Sequence, residues 1–494
     1  MSSRSNTSSP SLRLLGIGIG LCVGGVVMGA GVAGALPGGD ILQYGAVALA
    51  LVPAFFVARK EWLLLGVLFI VYAIDGLWTA GIVPRQASWL VELLVLSLLF
   101  RVCFERLQSS LPGRAPVALT VVGVAILFSL FAGFLGHQDT LVSLLGVRKY
   151  AVYPVLGFCI MLGDWSPGLD KLVWKAMLVV ALAQIPTSIY QLVTVGGGDA
   201  AGGTLGLNGT GLVAIFLTSV ALTILAAGLW KDERSPWYTR AGVILLLMVP
   251  PAIGSALFAA PLLIGGAALL ALTQPRGIAR IGPAIALALA ALVLATPTLS
   301  AYLSSIGYPD PVRLFSDPLL ALNYGGVSTS SLRPGRLDQI VLAWQTATQS
   351  GPLGLLLGNG LSSASPSFFG RMATGPLLAE NPYLQFVTSS VARGLIETGM
   401  FGVAAWVAVC LDCMRRGLTL RGSADGERRG TGAMSMAVGF VLLASGLYND
   451  AWHEPATAAL LWVVYALAVR SEYAEPVADV VERTGVVLGQ HLGR

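Results

Sequence analysis

The sequence predicts an all-α polytopic membrane protein of about 14 (12–14) transmembrane helices, with one large outer loop containing short helices. Three observations lead there. Hydrophobic residues fill 55% of the 494 positions and charged residues only 11%, and mean hydropathy is +0.77. A soluble fold needs more charge than this to cover its surface, and a disordered chain is poor in apolar residues. Apolar runs also recur from end to end, most of them near the ~20 residues that cross ~30 Å of hydrocarbon. Finally, the charges gather between those runs, as loops between spans require.

In chain order the runs fall at 14–36, 41–58, 62–83, 89–104, 116–136, 146–162, 172–193, 212–230, 241–253, 256–273, 281–299, 394–414, 431–447 and 456–470. The first follows a polar, weakly basic start. From Leu14 to Val32 it is too long for a signal-peptide core, so it reads as a retained helix. The runs 241–253 and 256–273 are short and meet at Pro250-Pro251, which allows either a hairpin or one kinked helix. Charge decides between them. With the N-terminus in the cytoplasm and fourteen spans, 22 of the 30 basic residues fall inside, including the Arg415–Arg429 cluster. Merging the two runs would put that cluster outside. Both termini are therefore expected in the cytoplasm of a bacterial inner-membrane protein. Twelve spans remain if two weak segments are re-entrant.

This divides the chain into an N-terminal bundle (1–299, about eleven spans), a large periplasmic loop (300–393), C-terminal spans (394–470) and a cytoplasmic tail (471–494). The large loop is too long to be a mere connection, and the apolar-periodic stretch Leu337 to Ala347 predicts that it folds. A second outer segment, Gly196 to Gly211, is rich in glycine and carries only Asp199 as charge. It is suited to dipping back beside other helices. No tandem repeat appears, and the loop has no counterpart in the first half, which counts against an inverted-repeat transporter.

The net charge of +5 points to no nucleic acid, since 25 of the 30 basic residues are arginine throughout, as coding bias would give. The five cysteines lie in or beside apolar runs, so no disulfide framework is expected, and Cys410-x-x-Cys413 lacks a second pair or histidine for a metal. No P-loop and no G-x-S-x-G is present.

A few residues depart from this background. Arg148 and Lys149 stand at the expected outer start of a span, where they either snorkel to lipid phosphates or grip an anionic ligand. Arg336 opens a predicted helix in the large loop. It either pairs with Asp338 or Asp310 or offers its planar fork to phosphate oxygens. Arg333 is close by, and Arg393 closes the loop at the membrane edge. Asp75, Glu92, Gln184 and Gln191 are the main polar residues inside the spans. His453, beside Asp450 and Glu454 in the last outer loop, has the chemistry of a base.

The order of four motifs resembles the superfamily of bacterial O-antigen ligases and O-antigen or exopolysaccharide polymerases. They are LLGVRKYAVYP, the glycine-rich segment leading to Asn208, R-x7-W from Arg336 to Trp344 followed by Gly358-Asn359-Gly360, and GLIETGMFG at 394–402. Together they span about residues 140–470. The resemblance implies a C-type, metal-independent glycosyltransferase that needs no cofactor. Its donor would be a glycan on undecaprenyl diphosphate at the periplasmic face. Arg336 would stabilise the leaving group. Arg148, Lys149, Asn208, Arg333, Trp344 and Arg393 would bind substrate. Membrane lipid, a flippase and chain-length regulator proteins would be its partners. Two positions differ from the family pattern. A ligase histidine is expected near Thr388, where the loop has none, and Gly254-Ser255-Ala256 lacks a following arginine. The missing histidine puts the polymerase ahead of the ligase and leaves the base open among Asp338, Glu380 and His453. A transporter or flippase of lipid-linked oligosaccharide is the remaining alternative.

Overall fold

The computed structural model describes residues 58–83, 85–108, 116–196, 200–206, 209–230, 237–254, 258–273, 301, 335–365 and 375–473. Among them there are helices and no strand. The bundle consists of α1 (Lys60–Thr79), α2 (Leu90–Gln108), α3 (Val117–Leu135), α4 (Thr140–Leu162), α5 (Leu169–Thr194), α6 (Thr210–Trp230), α7 (Trp237–Leu247), α8 (Val249–Ile253), α9 (Ala259–Thr273), α13 (Ser390–Leu420), α14 (Gly426–Ser445) and α15 (Pro455–Tyr473). Three short helices, α10 (Arg336–Gln349), α11 (Gly351–Leu357) and α12 (Pro376–Glu380), lie within the expected outer loop. Among the described residues, seven helices are long and apolar enough to cross a membrane, and two shorter apolar stretches, Thr239–Ile253 and Ala259–Thr273, accompany them. The described helices match eleven of the fourteen apolar runs. The runs 14–36, 41–58 and 281–299 lie outside the described residues.

Burial follows from which faces are apolar. α15 is apolar all round for most of its length, and from Ala456 to Val469 it is buried on every side, the pattern of a central helix. α6 is buried in the same way. α3, by contrast, leaves Phe128, Phe131 and Phe134 exposed, which suits a lipid-facing surface. Small residues set the closest crossings. A Cβ on Gly417 would lie 2.7 Å from the Gly432 carbonyl, and one on Gly439 would lie 2.8 Å from the Cys410 carbonyl. α13 and α14 therefore touch backbone to backbone, the usual route to tight helix packing where lipid supplies no hydrophobic drive. The two cysteines of the C-x-x-C spacing are buried in this seam, where Cys413 Sγ sits 3.1 Å from Ser435 Oγ.

The hairpin reading of 241–273 agrees with the neighbours of the helices. Arg240 at the start of α7 lies against Gly228 near the end of α6, Gly254 lies against Thr210 at the opposite end, and Thr273 is back at the first end, where Arg421 reaches its carbonyl. The prolines do not make the turn. They occupy the first turn of α8, where a missing N–H costs nothing, and the chain reverses after Gly254.

The two ends of the bundle differ. At the Lys60 end, cations serve helix ends and the loop after α4: Arg106 donates to Leu162 O, the last carbonyl of α4, at 2.7 Å, Arg470 to the loop carbonyl of Trp165 at 3.0 Å, and Lys60 pairs with Glu105 at 2.7 Å. Cations are buried at both ends, Lys60 and Arg416 at the first, but at the other the buried Arg393 shares its carboxylate partner, Asp450, with a histidine, His453.

Two uncharged, glycine-rich segments enter the bundle from that same end. Residues 200–206 contain the short 3-10 helix Gly203–Leu205 and run between α1 and α5. Gln191 brackets Gly203, accepting from its N–H at 2.7 Å and donating to its carbonyl at 2.9 Å. Gln184 accepts from Thr204 N at 2.9 Å. These are two of the polar residues inside the spans, and their partner is backbone that would otherwise be unsatisfied away from water. Residues 358–365 enter between α3, α4 and α13. Gln138 donates to Leu361 O at 2.6 Å, and the backbones of Gly146 and Leu361 meet with no room for a side chain on the glycine. The Gly358-Asn359-Gly360 turn fits where α13 breaks. Gly399 has φ 66°, ψ −172° inside that helix, and the carbonyl of Ile396, freed by the break, accepts from Asn359 N at 2.8 Å and Asn359 Nδ2 at 3.2 Å.

Candidate functional site

Charged side chains from distant parts of the chain converge beside the second inserted segment. The helix α4 begins at Thr140, capped by Asp139, whose side chain accepts from Leu141 N at 2.7 Å. Arg148 and Lys149 are thus about 12 Å inside the helix and not at its start, because the segment Thr140–Val147, with leucine or valine at 141, 142, 144, 145 and 147, is already helical. Likewise α13 begins at Ser390, capped by Ser389, so Arg393 belongs to its first turn and is 8% exposed, not at an open edge.

The centre of the cluster is Asp450, in the loop between α14 and α15. It pairs with Arg393, lies 3.8 Å from Lys149 Nζ and 2.6 Å from His453 Nδ1. Arg393 also donates to Val387 O at 2.6 Å. Burial opposes ionisation of Asp450, but Arg393 above all, with His453 and Lys149, holds its carboxyl well below the usual carboxylate range. Burial pushes the His453 imidazole below its ordinary value, more than Asp450 can restore. Next to them, burial and then the Asp450 charge push the Glu454 carboxyl up.

A carboxylate only accepts, so Nδ1 of His453 carries the proton and Nε2 presents a lone pair. That Nε2 is buried with no hydrogen-bond partner among the described residues. The ring is enclosed by Tyr150 at 4.6 Å and by the edge-on Trp406 at 5.5 Å.

A second layer joins the first through Lys149. Its Nζ is 3.2 Å from Ser365 Oγ, at the end of the inserted segment, and Ser365 Oγ donates to Glu397 Oε1 at 2.6 Å. Tyr150 OH donates to the other oxygen of Glu397, also at 2.6 Å. Glu397 lies just before the helix break and is fully buried. At the rim, Arg148 pairs with Glu92 and lies 5.8 Å over the Trp89 ring. Arg336, in the first turn of α10, has its guanidinium 4.9 Å over the ring of Tyr448, two residues before Asp450.

The structure therefore gathers Arg148, Lys149, Arg393 and His453 at one end, with Arg336 adjoining through Tyr448. It does not gather the rest. Asp338 serves the start of α10, accepting from Gly335 N at 3.2 Å. Glu380 is exposed at the end of α12, and Trp344 is 48% exposed on the outer face of α10. Asn208 and Arg333 lie outside the described residues. Thr388, where the family histidine was expected, has its N–H 2.9 Å from Gln339 Oε1. Sequence reasoning overlooked Tyr150, Ser365 and Glu397. Glu397 had a signal, a lone acid inside an apolar run, whereas Ser365 had none. Among the described residues, no group of three or more His, Cys, Asp or Glu side chains is placed to hold a metal. Compared with models of known protein families and with curated proteins, the chain matches none.

Proposed function

We propose that this chain is a membrane glycosyltransferase that polymerises repeat units carried on a polyprenyl diphosphate. The observation that carries the reading is the convergence of Arg148, Lys149 and Arg393, with Arg336 beside them, at one end of a bundle of membrane-spanning length. Each already meets a protein carboxylate, Arg148 at Glu92 and Lys149 and Arg393 at Asp450, so a lipid-borne diphosphate at that depth would bind by sharing or displacing these pairs. The end that holds them is the periplasmic one in this reading.

In the reaction, an acceptor hydroxyl attacks the anomeric carbon, the bond from that carbon to the diphosphate oxygen breaks, and the electron pair leaves with the diphosphate. Arginine forks placed there stabilise the growing charge more than the ground state. Of the three candidate bases, His453 alone belongs to the cluster. Asp450 fixes its tautomer, and Nε2 takes the proton.

The test is purified protein in lipid with lipid-linked repeat units, read as chain length on gels. Wild-type protein should extend them. Arg336→Ala should lose ~10²–10³ in turnover, the usual loss for one transition-state donor, with much less change in binding of the donor lipid. Protein that leaves the units unextended with every acceptor offered, but moves them between leaflets of liposomes, would be a transporter.

A further inference from the structure

The helix α10 presents three faces. Gln339, Ala343 and Ala347 are buried against α13. Gln345 and Gln349 form an exposed polar face. Between these lies an exposed apolar face, with Val341 at 54% and Trp344 at 48%, and α11 extends it with Leu353 at 62% and Leu356 at 51%. A helix that needed only a protein on one side and water on the other would show two faces. Three faces fit a helix lying in a membrane surface, packed on protein, with one remaining side in lipid and one in water. The neighbours agree. α11 packs against α3, whose Phe131, Phe134 and Leu135 are each more than half exposed at the same end of the bundle, so the apolar stripe continues an apolar surface of a membrane-length helix. A tryptophan at that junction is the residue most favoured between acyl chains and headgroups.

We propose that α10 and α11 form an interfacial hairpin whose Val341, Trp344, Leu353 and Leu356 face is immersed in the acyl chains of the leaflet at the Arg393 end. The occupant is lipid, because the stripe carries no charge, the one hydroxyl on it, that of Thr348, is satisfied by the carbonyls of Trp344 and Gln345, and the stripe is continuous with the exposed face of α3. The long segment between the spans is then partly a membrane-surface element and not a water-borne loop. This placement holds the first turn of α10, with Arg336, at headgroup level. A lipid-linked donor would arrive at that level, a consequence that rests on the glycosyltransferase reading.

The test needs no activity, so it can fail independently of that reading. Single cysteines at 341, 344, 353, 356, 345 and 349 are spin-labelled in nanodiscs, in a background lacking Cys22 and Cys103; Cys159, Cys410 and Cys413 are buried. Collision rates are then compared for oxygen, which concentrates in lipid, and a nickel chelate, which stays in water. At 341, 344, 353 and 356 oxygen should exceed the chelate several-fold, and at 345 and 349 the order should reverse. Chelate collisions dominating at the stripe would place it in water. Protection from both reagents would assign it to protein, either residues 302–334 of the chain or a second copy. Either result overturns the proposal.

Discussion

The two inserted segments solve one problem with different chemistry. Residues 200–206 and 358–365 are both glycine-rich and uncharged, and both enter from the same end. The first meets neutral amides, Gln184 and Gln191, which replace the hydrogen bonds its backbone would make to water. The second has one such amide, Gln138, and then meets a broken helix and ionised groups through Ser365. A segment that only needs to be tolerated in the bundle is held by amides. One that abuts Lys149 and Glu397 adjoins groups whose burial costs several kcal/mol each unless they are paired. That expense is unnecessary for packing alone, and it marks the second segment as the one beside the site.

The comparison is best broken at Asp450. Asp450→Ala removes the partner of Arg393 and leaves a buried cation uncompensated, which should cost about 3–5 kcal/mol and abolish any activity. Chemical unfolding in detergent measures it. A loss no larger than that of an ordinary surface substitution would mean that water already reaches the cluster. Gln191→Ala, at the first segment, leaves the Gly203 N–H and carbonyl without their partner. It should cost about 1–3 kcal/mol and leave the proposed polymerisation, measured per folded molecule, unchanged. An activity loss at constant stability would put the first segment in the site as well.

The smallest effect is a response to pH. The folded pKa of His453 is lowered by burial, so above about 6.5 the ring is neutral in both the folded and unfolded chain and contributes nothing. As pH falls below that value the unfolded chain takes up a proton that the fold refuses, and stability declines until the folded pKa is reached. The lowered pKa of Asp450 acts in a more acidic window, its contribution being lost only as pH falls below about 4. Between pH 7.5 and 5 the fold should therefore lose stability that His453→Gln does not lose. The two melting curves, compared at both pH values, check it. The first segment contains no titratable group among its described residues and adds nothing to the difference.

Hydropathy made most of the fold legible. Each described long helix sits on an apolar run, and the charge balance chose the hairpin at 241–273 over a single helix. Helix starts were less legible. In Thr140–Val147 the apolar residues are interrupted by Ser143 and Gly146, and Ser390–Arg393 holds only two, so the run read from the sequence begins several residues inside the true cap. For the same reason Arg393 looks from the sequence like a rim residue when it is buried, whereas Arg148 does lie at the rim. The site was half legible. Cations misplaced by charge rules were visible, as was His453, but their carboxylate partners were not assignable, because Arg148 finds Glu92 across 56 residues and Tyr150 finds Glu397 across 247. Pairings over such separations depend on which helices lie side by side, and periodicity does not encode that.

The break at Gly399 has one more consequence. Hydrogen bonds along a helix reinforce one another, so a continuous helix opens as one cooperative length. α13 is divided there into a stub, Ser390 to Thr398, and a longer shaft that runs on to Leu420. A stub of nine residues has little tendency to stay helical on its own. It persists through Asn359, Asp450 and the capping Ser389, so amide exchange within it reports on the loops around it, whereas exchange in the shaft reports on the bundle. The chain has thereby separated the part of the helix that bears Arg393 and Glu397 from the part that holds the bundle together.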